Sequence, residues 1–528
     1  MNKKELEIEN ERFRYKGFKL ISLELTDFTF FGNIKYDFVD KDDKQDKIYS
    51  TVIIGPNGTR KSLLFNLIIY IFKCISDLKG NKEIDYKKYQ KGNFHLIYAL
   101  ENEIYEVIRN HSTDGKKHNQ YGYSLMINKQ HKEIKEFELP LTMIGNSINI
   151  TDKFPFYKER EFDRFQYLGI KYNPQSASTK SYIKKTIDYV SKLSFSESFL
   201  NGLKLITETF IGKNKTICIS YKTVNYKRFY DGNLNTESLD EFFVDIEKRF
   251  KERQKTPPFK LNTYNGFKSK GGTELQTAVD YCNYLAKSTE LIKIDGSSSK
   301  LLKFNLSIKE DLERLKLNGK SINTLYDLNL LYDPKIEIFG IAGDEYSLED
   351  SSSGEHNLIT SLIGLMATIK PDSLLLIDEP EISLHPNWQM KYVSFLKDVL
   401  ASETYNTSHI LIASHSHFIV SDLEGDSSKV IGLSKGKDIE VVPFEKNLNT
   451  FGWSAEEVLL KVFKVATSRN YYVAEKLGLM LDFIASEKST NQTIKAKFIE
   501  LELDKISGLT NEDPLKTVYD TIVKEYVS

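Results

Sequence analysis

A chain of 528 residues with 73 basic and 74 acidic side chains is long enough for more than one domain, and it lacks the globally basic character of many nucleic-acid-binding proteins. Its three cysteines, Cys74, Cys218 and Cys282, are far apart, which excludes a disulfide framework or a cysteine-rich zinc site and indicates a cytoplasmic location. The charged N-terminal segment has no signal-peptide core, and no run of about 18 apolar residues predicts a membrane-spanning helix.

The first part of the chain places a glycine-containing loop between a strand and a helix. Strands are predicted at 19–26 and 34–39, and a buried strand at 51–54 leads into the loop GPNGTRKS, which an apolar helix follows at 63–74. Strand, loop and helix in this order are the context of a P-loop, whose backbone N–H groups bind phosphates.

The loop residues have distinct expected roles. Lys61 is expected to bridge the β- and γ-phosphates, and Ser62 to ligate Mg²⁺. Arg60 stands where the general pattern has its second glycine, so it predicts slower hydrolysis, looser binding, or a side chain that points outward. The residues whose backbone should wrap the phosphates are Gly55, Pro56, Asn57, Gly58, Thr59, Arg60 and Lys61.

The middle of the chain divides into a β-rich and a helical part. Residues 94–109 and 121–128 predict an antiparallel β-lobe, and another strand is expected at 165–174. Helical stretches rich in Lys and Tyr then alternate with turns, which predicts an inserted lobe. The predicted division is an N-terminal half-head, a helical insertion, a C-terminal half-head and a helical C-terminal region, at residues 1–175, 176–334, 335–445 and 446–528.

The stretch SSSGE, residues 351–355, precedes a predicted helix at 355–369. The Ser352 hydroxyl and the Gly354 N–H would form an anion site at the helix N-terminus, and they would bind a γ-phosphate if they came from a second subunit. The alternative is an ordinary N-cap loop in which Ser353 caps the helix.

The run LLLIDEPE, residues 374–381, predicts a buried strand that ends in two acids. Asp378 is expected to ligate Mg²⁺, Glu379 to act as the base that activates water, and Glu381 only to cap or steer the next turn. A strand at 408–413 leads to His415, which is expected to contact the γ-phosphate or the attacking water. His417 is interpreted as a packed surface residue.

Several further residues keep two interpretations. His385 would either read the nucleotide state of a second subunit or occupy the turn before Pro386. Gln166 and Gln175 are equal candidates for a glutamine that senses Mg²⁺. The aromatic residues that could stack an adenine, although core packing is favoured, are Phe28, Phe30 and Phe31.

The motifs GPNGTRKS, SSSGE, LLLIDEPE, SLHP and ASHS, in this order, resemble those of ABC-type ATPases of the SMC/Rad50-like and OLD-like group. The resemblance implies an α/β P-loop ATPase head with a mixed sheet and an antiparallel β-lobe, split by a mainly helical insertion and followed by a helical region. It also implies binding of ATP and Mg²⁺, and a homodimer or higher oligomer in which two heads sandwich the nucleotide.

The tail FGWSAEEVLLKVFKVATSRN, residues 451–470, resembles that of the PtuA ATPases of Septu and retron-associated anti-phage systems. This implies a nucleotide-gated switch, or a scaffold that binds ATP and hardly hydrolyses it, in a defence complex. It would control a PtuB-like HNH nuclease, together with a reverse transcriptase and its msDNA in the retron form, and would have no nuclease activity of its own. The alternatives are an OLD-like nuclease, which needs an acidic metal cluster in 446–528, and an SMC-like DNA-repair ATPase, which needs long heptad arms.

Overall fold

The computed structural model forms two compact units, Met1–Phe451 and Gly452–Ser528, which we describe in turn. The structure describes residues 15–40, 48–84, 89, 92–111, 121–157, 161–173, 176–177, 179–193, 196–224, 229, 231–252, 260–294, 296–340, 345–382, 384–402, 405–421, 423–435, 439–442, 471–484, 491–506 and 514–527. Within these ranges, no helix combines the length and apolar character needed to cross a membrane.

The described strands all belong to the first unit. They are β1 Lys19–Phe28, β2 Gly32–Asp37, β3 Tyr49–Ile54, β4 Asn93–Leu100, β5 Glu103–His111, β6 Tyr121–Ile127, β7 Gln130–His131, β8 Met143–Ser147, β9 Phe165–Gly169, β10 Lys171–Asn173, β11 Ser176–Ala177, β12 Lys215–Thr223, β13 Leu291–Lys293, β14 Lys300–Asn305, β15 Leu331–Gly340, β16 Glu345–Ser347, β17 Leu374–Asp378, β18 His409–Ser414, β19 Ser428–Lys435 and β20 Ile439–Val442.

The described α-helices are distributed over both units. Those of the first unit are α1 Lys61–Lys79, α2 Thr179–Val190, α3 Glu197–Ile206, α4 Thr236–Glu252, α5 Leu261–Ser269, α6 Thr273–Lys287, α7 Lys309–Asp327, α8 Ser353–Thr368 and α9 Pro386–Val399. Those of the second unit are α10 Tyr471–Ile484, α11 Asn491–Glu500 and α12 Pro514–Ile522.

A seven-stranded sheet forms the centre of the first unit, in the order β20-β19-β3-β18-β17-β8-β9. All neighbouring strands are parallel except the edge pair β19 and β20. The three central strands β3, β18 and β17 are buried along their whole length, as expected for a sheet covered on both faces. Because these strands are adjacent and parallel, the residues that follow them meet at one edge of the sheet.

The predicted β-lobe is a six-stranded antiparallel sheet in the order β2-β1-β4-β5-β6-β7. Helix α1 shares a hydrophobic core with this sheet and with β3. Aromatic rings fill part of that core, where Phe72 of α1 lies 5.3 Å from Tyr98 and 5.9 Å from Phe18 between ring centroids. The P-loop helix is therefore fixed between the lobe and the central sheet.

The interval 176–334 is mainly helical, as predicted, and contains α2 to α7. It also contributes β12, β13 and β14 to an antiparallel sheet in the order β13-β14-β12-β15-β16, which the sequence did not predict. Strand β15 crosses the predicted boundary at residue 334. Alternation of buried and half-buried residues along β15 shows that one face of this sheet packs inward.

Helices α10, α11 and α12 form the described part of the second unit around a small apolar core. Its buried members are Leu477, Met480, Ile494, Phe498, Leu503 and Ile522. This agrees with the helical C-terminal region that the sequence predicted. The tail motif at 451–470 lies outside the described residues.

Candidate nucleotide-binding site

The loop between β3 and α1 has the backbone shape that its glycines allow. A Cβ atom added at Gly55 would lie 2.7 Å from the carbonyl oxygen of Leu433, so only glycine fits against the neighbouring strand. Gly58 has a φ of +85°, a left-handed conformation that glycine adopts without steric cost. The loop then enters α1 at Lys61.

Arg60 also adopts a left-handed conformation, with φ at 64° and ψ at 27°, directly before α1. The general P-loop pattern has glycine at this position, and the positive φ gives the physical reason. The Arg60 side chain is exposed and makes no capping hydrogen bond to the helix. The side chain is therefore not packed inside the loop, and slower hydrolysis and looser binding stay predictions.

Lys61 is 4% exposed and points back across the loop. Its Nζ donates to the Gly55 carbonyl oxygen at 2.8 Å and lies 3.0 Å from Nε2 of His415. Burial lowers the pKa of Lys61 to about 8, although nearby carboxylates oppose the shift. The ammonium group therefore stays mostly charged at neutral pH, at the place where phosphates would enter the loop.

Ser62 and Asp378 bring two oxygen atoms together beside Lys61. Ser62 Oγ donates to Asp378 Oδ1 at 3.0 Å, and Asp378 is 1% exposed at the end of β17. Burial raises the pKa of Asp378 to about 7, with a further contribution from the negative charge of Glu379. A hydroxyl oxygen beside a buried carboxylate fits the oxygen preference of Mg²⁺.

Glu379 follows β17 in a left-handed conformation with φ at 52°. Its N–H donates to the Ala413 carbonyl oxygen at 2.8 Å, and its Oε1 lies 3.4 Å from Nε2 of His415. Its other carboxylate oxygen accepts from the side-chain amide of Asn149. Because of the His415 contact first, and the Asn149 amide to a lesser degree, the pKa of Glu379 lies below its ordinary value.

His415 follows β18 and places its ring between Lys61 and Glu379. The structure therefore brings together five predicted site residues from three adjacent strand ends. They are Lys61, Ser62, Asp378, Glu379 and His415.

Ser352 caps helix α8 in the described chain. Its Oγ accepts from the Glu355 N–H at 3.3 Å and donates to the Glu355 carboxylate at 3.0 Å, which forms a capping box. The described chain therefore has the N-cap loop of the alternative interpretation, but its cap is Ser352, because Ser353 is the first helical residue. No described hydrogen bond joins Ser352 or Gly354 to the P-loop, so the two segments are not brought together through such contacts within one chain.

The other two candidate histidines, His385 and His417, have local contacts. His385 caps α9, where its Nδ1 accepts from the Asn387 N–H at 3.3 Å. His417 packs on Phe418, with 3.9 Å between ring centroids.

The other candidates lie mostly outside the site. Gln166 donates to the Asp163 carbonyl oxygen at 3.0 Å, and Gln175 is not among the described residues. Phe28 and Phe31 are buried in the core, in agreement with the favoured interpretation, whereas Phe30 is 57% exposed.

Two residues beside the site were missed or undervalued by the sequence analysis. Asn149, which holds Glu379, follows β8, a strand that the sequence analysis did not identify. Glu381 accepts from the backbone N–H of His415 at 2.6 Å, which is more than steering the next turn. The sequence signal for Asn149 would have been its position as a polar residue just after a strand, and that signal needs β8 to be predicted first.

Comparison with known proteins places the chain among ATPases. The AAA ATPase domain family matches residues 6–420. The retron Vc95 probable ATPase of Vibrio cholerae serotype O1 biovar El Tor is 23% identical over 464 residues, which cover 84% of this chain and 78% of that protein. The Septu protein PtuA of Bacillus thuringiensis is 24% identical over 203 residues, which cover 36% of this chain and 48% of that protein.

Solved structures to which this chain is similar include an SMC head domain and a recombination mediator protein. The SMC head domain from Thermotoga maritima has a TM-score of 0.34 at 12% identity and covers 81% of this chain and 99% of that one. The recombination mediator RecF has a TM-score of 0.28 at 13% identity and covers 82% and 100%. The resemblance to ABC-type ATPases of defence systems is confirmed by the family match and the two relatives. The chain belongs to the AAA ATPase domain family.

Proposed function

We propose that this chain binds ATP with Mg²⁺, hydrolyses it, and uses the nucleotide state as a switch in an anti-phage defence complex. One observation carries the proposal. Three neighbouring parallel strands end at the same edge of the sheet and deliver a lysine, two oxygen ligands, a carboxylate and a histidine to one place. Such an edge is where α/β proteins bind nucleotides.

The surroundings of each group in the site support a specific role for it. The loop backbone and Lys61 would bind the phosphates, and the oxygens of Ser62 and Asp378 would hold Mg²⁺, which when bound neutralises phosphate charge. Glu379 would orient the attacking water and accept its proton. Its carboxylate is held by the Asn149 amide on one oxygen and lies beside His415 on the other.

The active form would be a homodimer or higher oligomer. Ser352 is exposed at the N-terminus of α8, and its described hydrogen bonds join it to Glu355 rather than to the P-loop. The same segment of a second copy is proposed to close on the nucleotide, with the Ser352 hydroxyl and the Gly354 N–H facing the γ-phosphate.

The partner proposed for the switch is a PtuB-like HNH nuclease, joined in a retron system by a reverse transcriptase and its msDNA. Similarity to a retron ATPase and to a Septu protein supports this proposal. The nucleotide state of the heads would hold or release the nuclease.

Lys61→Ala and Glu379→Gln test the nucleotide chemistry. Lys61→Ala should abolish ATP binding, because a buried ammonium group is lost. Glu379→Gln should keep binding and lower kcat by about 100-fold or more, because a general base is lost. Fluorescent-nucleotide titration and phosphate release measure the two effects. Lys132→Ala and Glu136→Gln, an exposed ion pair in the β-lobe, are matched controls that should behave as wild type.

The switch role is tested in cells that carry the full system. Neither Lys61→Ala nor Glu379→Gln should protect against phage, and co-purification of the nuclease should depend on added ATP. Full protection by both variants would remove the switch from the proposal. Metal-dependent cleavage of nucleic acid by the purified chain alone would favour the OLD-like nuclease instead.

A further inference from the structure

Glu381 lies two residues beyond Glu379 and contacts the loop that carries the histidine. Its Oε1 accepts from the backbone N–H of His415 at 2.6 Å. A short backbone-to-carboxyl hydrogen bond of this kind fixes the chain where it leaves β18.

Gln389 makes a second connection between the same two segments. Its Nε2 donates to the carbonyl oxygen of Leu384 at 2.8 Å and to that of Glu381 at 3.4 Å. Its Oε1 accepts from Ser416 Oγ at 2.6 Å. One side chain of α9 therefore bonds to the turn after β17 and to the loop after β18.

These contacts hold two successive residues of the histidine loop. Glu381 holds the backbone of His415, and Gln389 holds the side chain of Ser416. With its backbone fixed, the His415 ring lies 3.0 Å from Lys61 Nζ and 3.4 Å from Glu379. A shift of about 1 Å in this loop would separate the ring from both groups, and misplacement of that size costs catalysis heavily.

We infer that Glu381 and Gln389 form a positioning clamp, which holds His415 within reach of Glu379 and Lys61. The clamp also joins the loop of His415 to Glu381 and Leu384, which lie between β17 and His385, the cap of α9. A displacement of Glu381 or Leu384 would therefore also displace the histidine. The inference rests on the proposed function, because it assigns His415 a part in ATP hydrolysis.

A double-mutant cycle with the full chain tests the clamp. Glu381→Ala should lower kcat by about 10-fold or more with little change in KM, because nucleotide binding depends on the P-loop. Glu381→Gln should recover most of the loss, because its amide oxygen still accepts from His415. In a His415→Ala background, Glu381→Ala should have no further effect, because the two residues act as one unit. Additive losses would overturn the inference.

A second measurement does not depend on turnover. Hydrogen exchange of a peptide covering 412–418 should be faster in Glu381→Ala and Gln389→Ala than in wild type, with the melting temperature as a control for folding. Unchanged exchange in both variants would overturn the clamp even if wild type hydrolyses ATP. Absence of hydrolysis by wild type, with faster exchange in both variants, would instead count against the proposed function alone.

Discussion

Arg60 shows that a P-loop backbone can keep its shape when an arginine replaces its second glycine. The residue is in the left-handed region, which costs a non-glycine residue about 1–2 kcal/mol relative to its ordinary conformation. Its side chain is exposed. The consequence of the replacement that follows from the backbone conformation is a loss of stability.

Arg60→Gly should raise the free energy of unfolding by about 0.5–1 kcal/mol. Glycine adopts a positive φ without strain, which stabilises the folded chain. Its greater conformational freedom in the unfolded chain offsets part of this gain. Urea denaturation measures the change. Lys129→Gly is the matched control, since Lys129 is exposed with φ at 62° in a turn far along the chain from the P-loop. Destabilisation by Arg60→Gly alone would show that the arginine side chain makes a favourable interaction.

At the scale of single residues, local patterns predicted the P-loop, Asp378 and His415, since each lies at the end of a buried strand with a recognisable run of letters. Asn149 was not predictable in this way. It reaches Glu379 from 230 residues away, and a single asparagine after an unrecognised strand has no spacing that marks it. The same holds for the contact of Glu381 with the loop of His415, 34 residues further along.

Among the elements, helix α8 has an N-cap residue, Ser352, to which two roles are assigned. Ser352 stabilises the helix in one chain through its capping box with Glu355, and the proposed dimer would use the same hydroxyl for a phosphate. The exchange is chemically simple, because the hydroxyl that donates to the Glu355 carboxylate would donate to a phosphate oxygen instead, and a helix N-terminus favours a bound anion.

Ser352→Ala and Ser352→Arg separate helix capping from the proposed role in the dimer. Both should lose about 1 kcal/mol of stability with the cap. Only the arginine variant should block ATP-dependent dimerisation, because its bulk occupies the space that the nucleotide needs. Light scattering of both variants in a Glu379→Gln background, with and without ATP, measures this. Normal ATP-dependent dimerisation of Ser352→Arg would contradict the assignment to a second subunit.

Strands β12 to β14, like β8, are elements that the sequence analysis missed. Lys and Tyr surround the alternating residues of β12, and its partners β14 and β15 come from far along the chain. Strand formation there depends on packing between distant segments, whereas the helices of the same interval carry their own local periodicity.

Across the whole molecule, His409 joins the antiparallel β-lobe to the central sheet. Its Nδ1 accepts from the Leu20 N–H at 3.1 Å, and its Nε2 lies 2.9 Å from the hydroxyl of Thr51, which itself donates to the Phe38 carbonyl oxygen. This arrangement fits a neutral ring with its proton on Nε2. A second proton on Nδ1 would face the Leu20 N–H directly.

His409 should therefore make the head less stable in mild acid. Burial, with the nearby Lys19 charge, holds the pKa of His409 well below its ordinary value, so below about pH 6.5 the unfolded chain binds a proton that the folded chain does not. The free energy of unfolding should fall by up to about 1.4 kcal/mol per pH unit from this group. Asp378, whose pKa is raised to about 7, acts in the opposite direction, so the informative quantity is the difference between variants.

Urea denaturation between pH 5.5 and 7.5 measures that difference. In His409→Gln, the free energy of unfolding should fall less steeply towards low pH than in wild type. In His131→Gln, which changes an exposed residue, the pH dependence should equal that of wild type. The same pH dependence in wild type and His409→Gln would contradict a neutral buried ring.

The pairing of β3 with β18 and β19 has a consequence for synthesis on the ribosome. Thr51 of β3 forms a side-chain hydrogen bond with His409, which lies 358 residues further along the chain. At a synthesis rate of about 5–20 residues per second, roughly 20–70 s would pass between the synthesis of β3 and that of β18. During that interval the nascent chain has Lys61 but neither Asp378 nor His415 beside it. A ribosome-bound fragment should therefore be unable to form the nucleotide site, and a defence ATPase would become responsive only when nearly all of its head has been made.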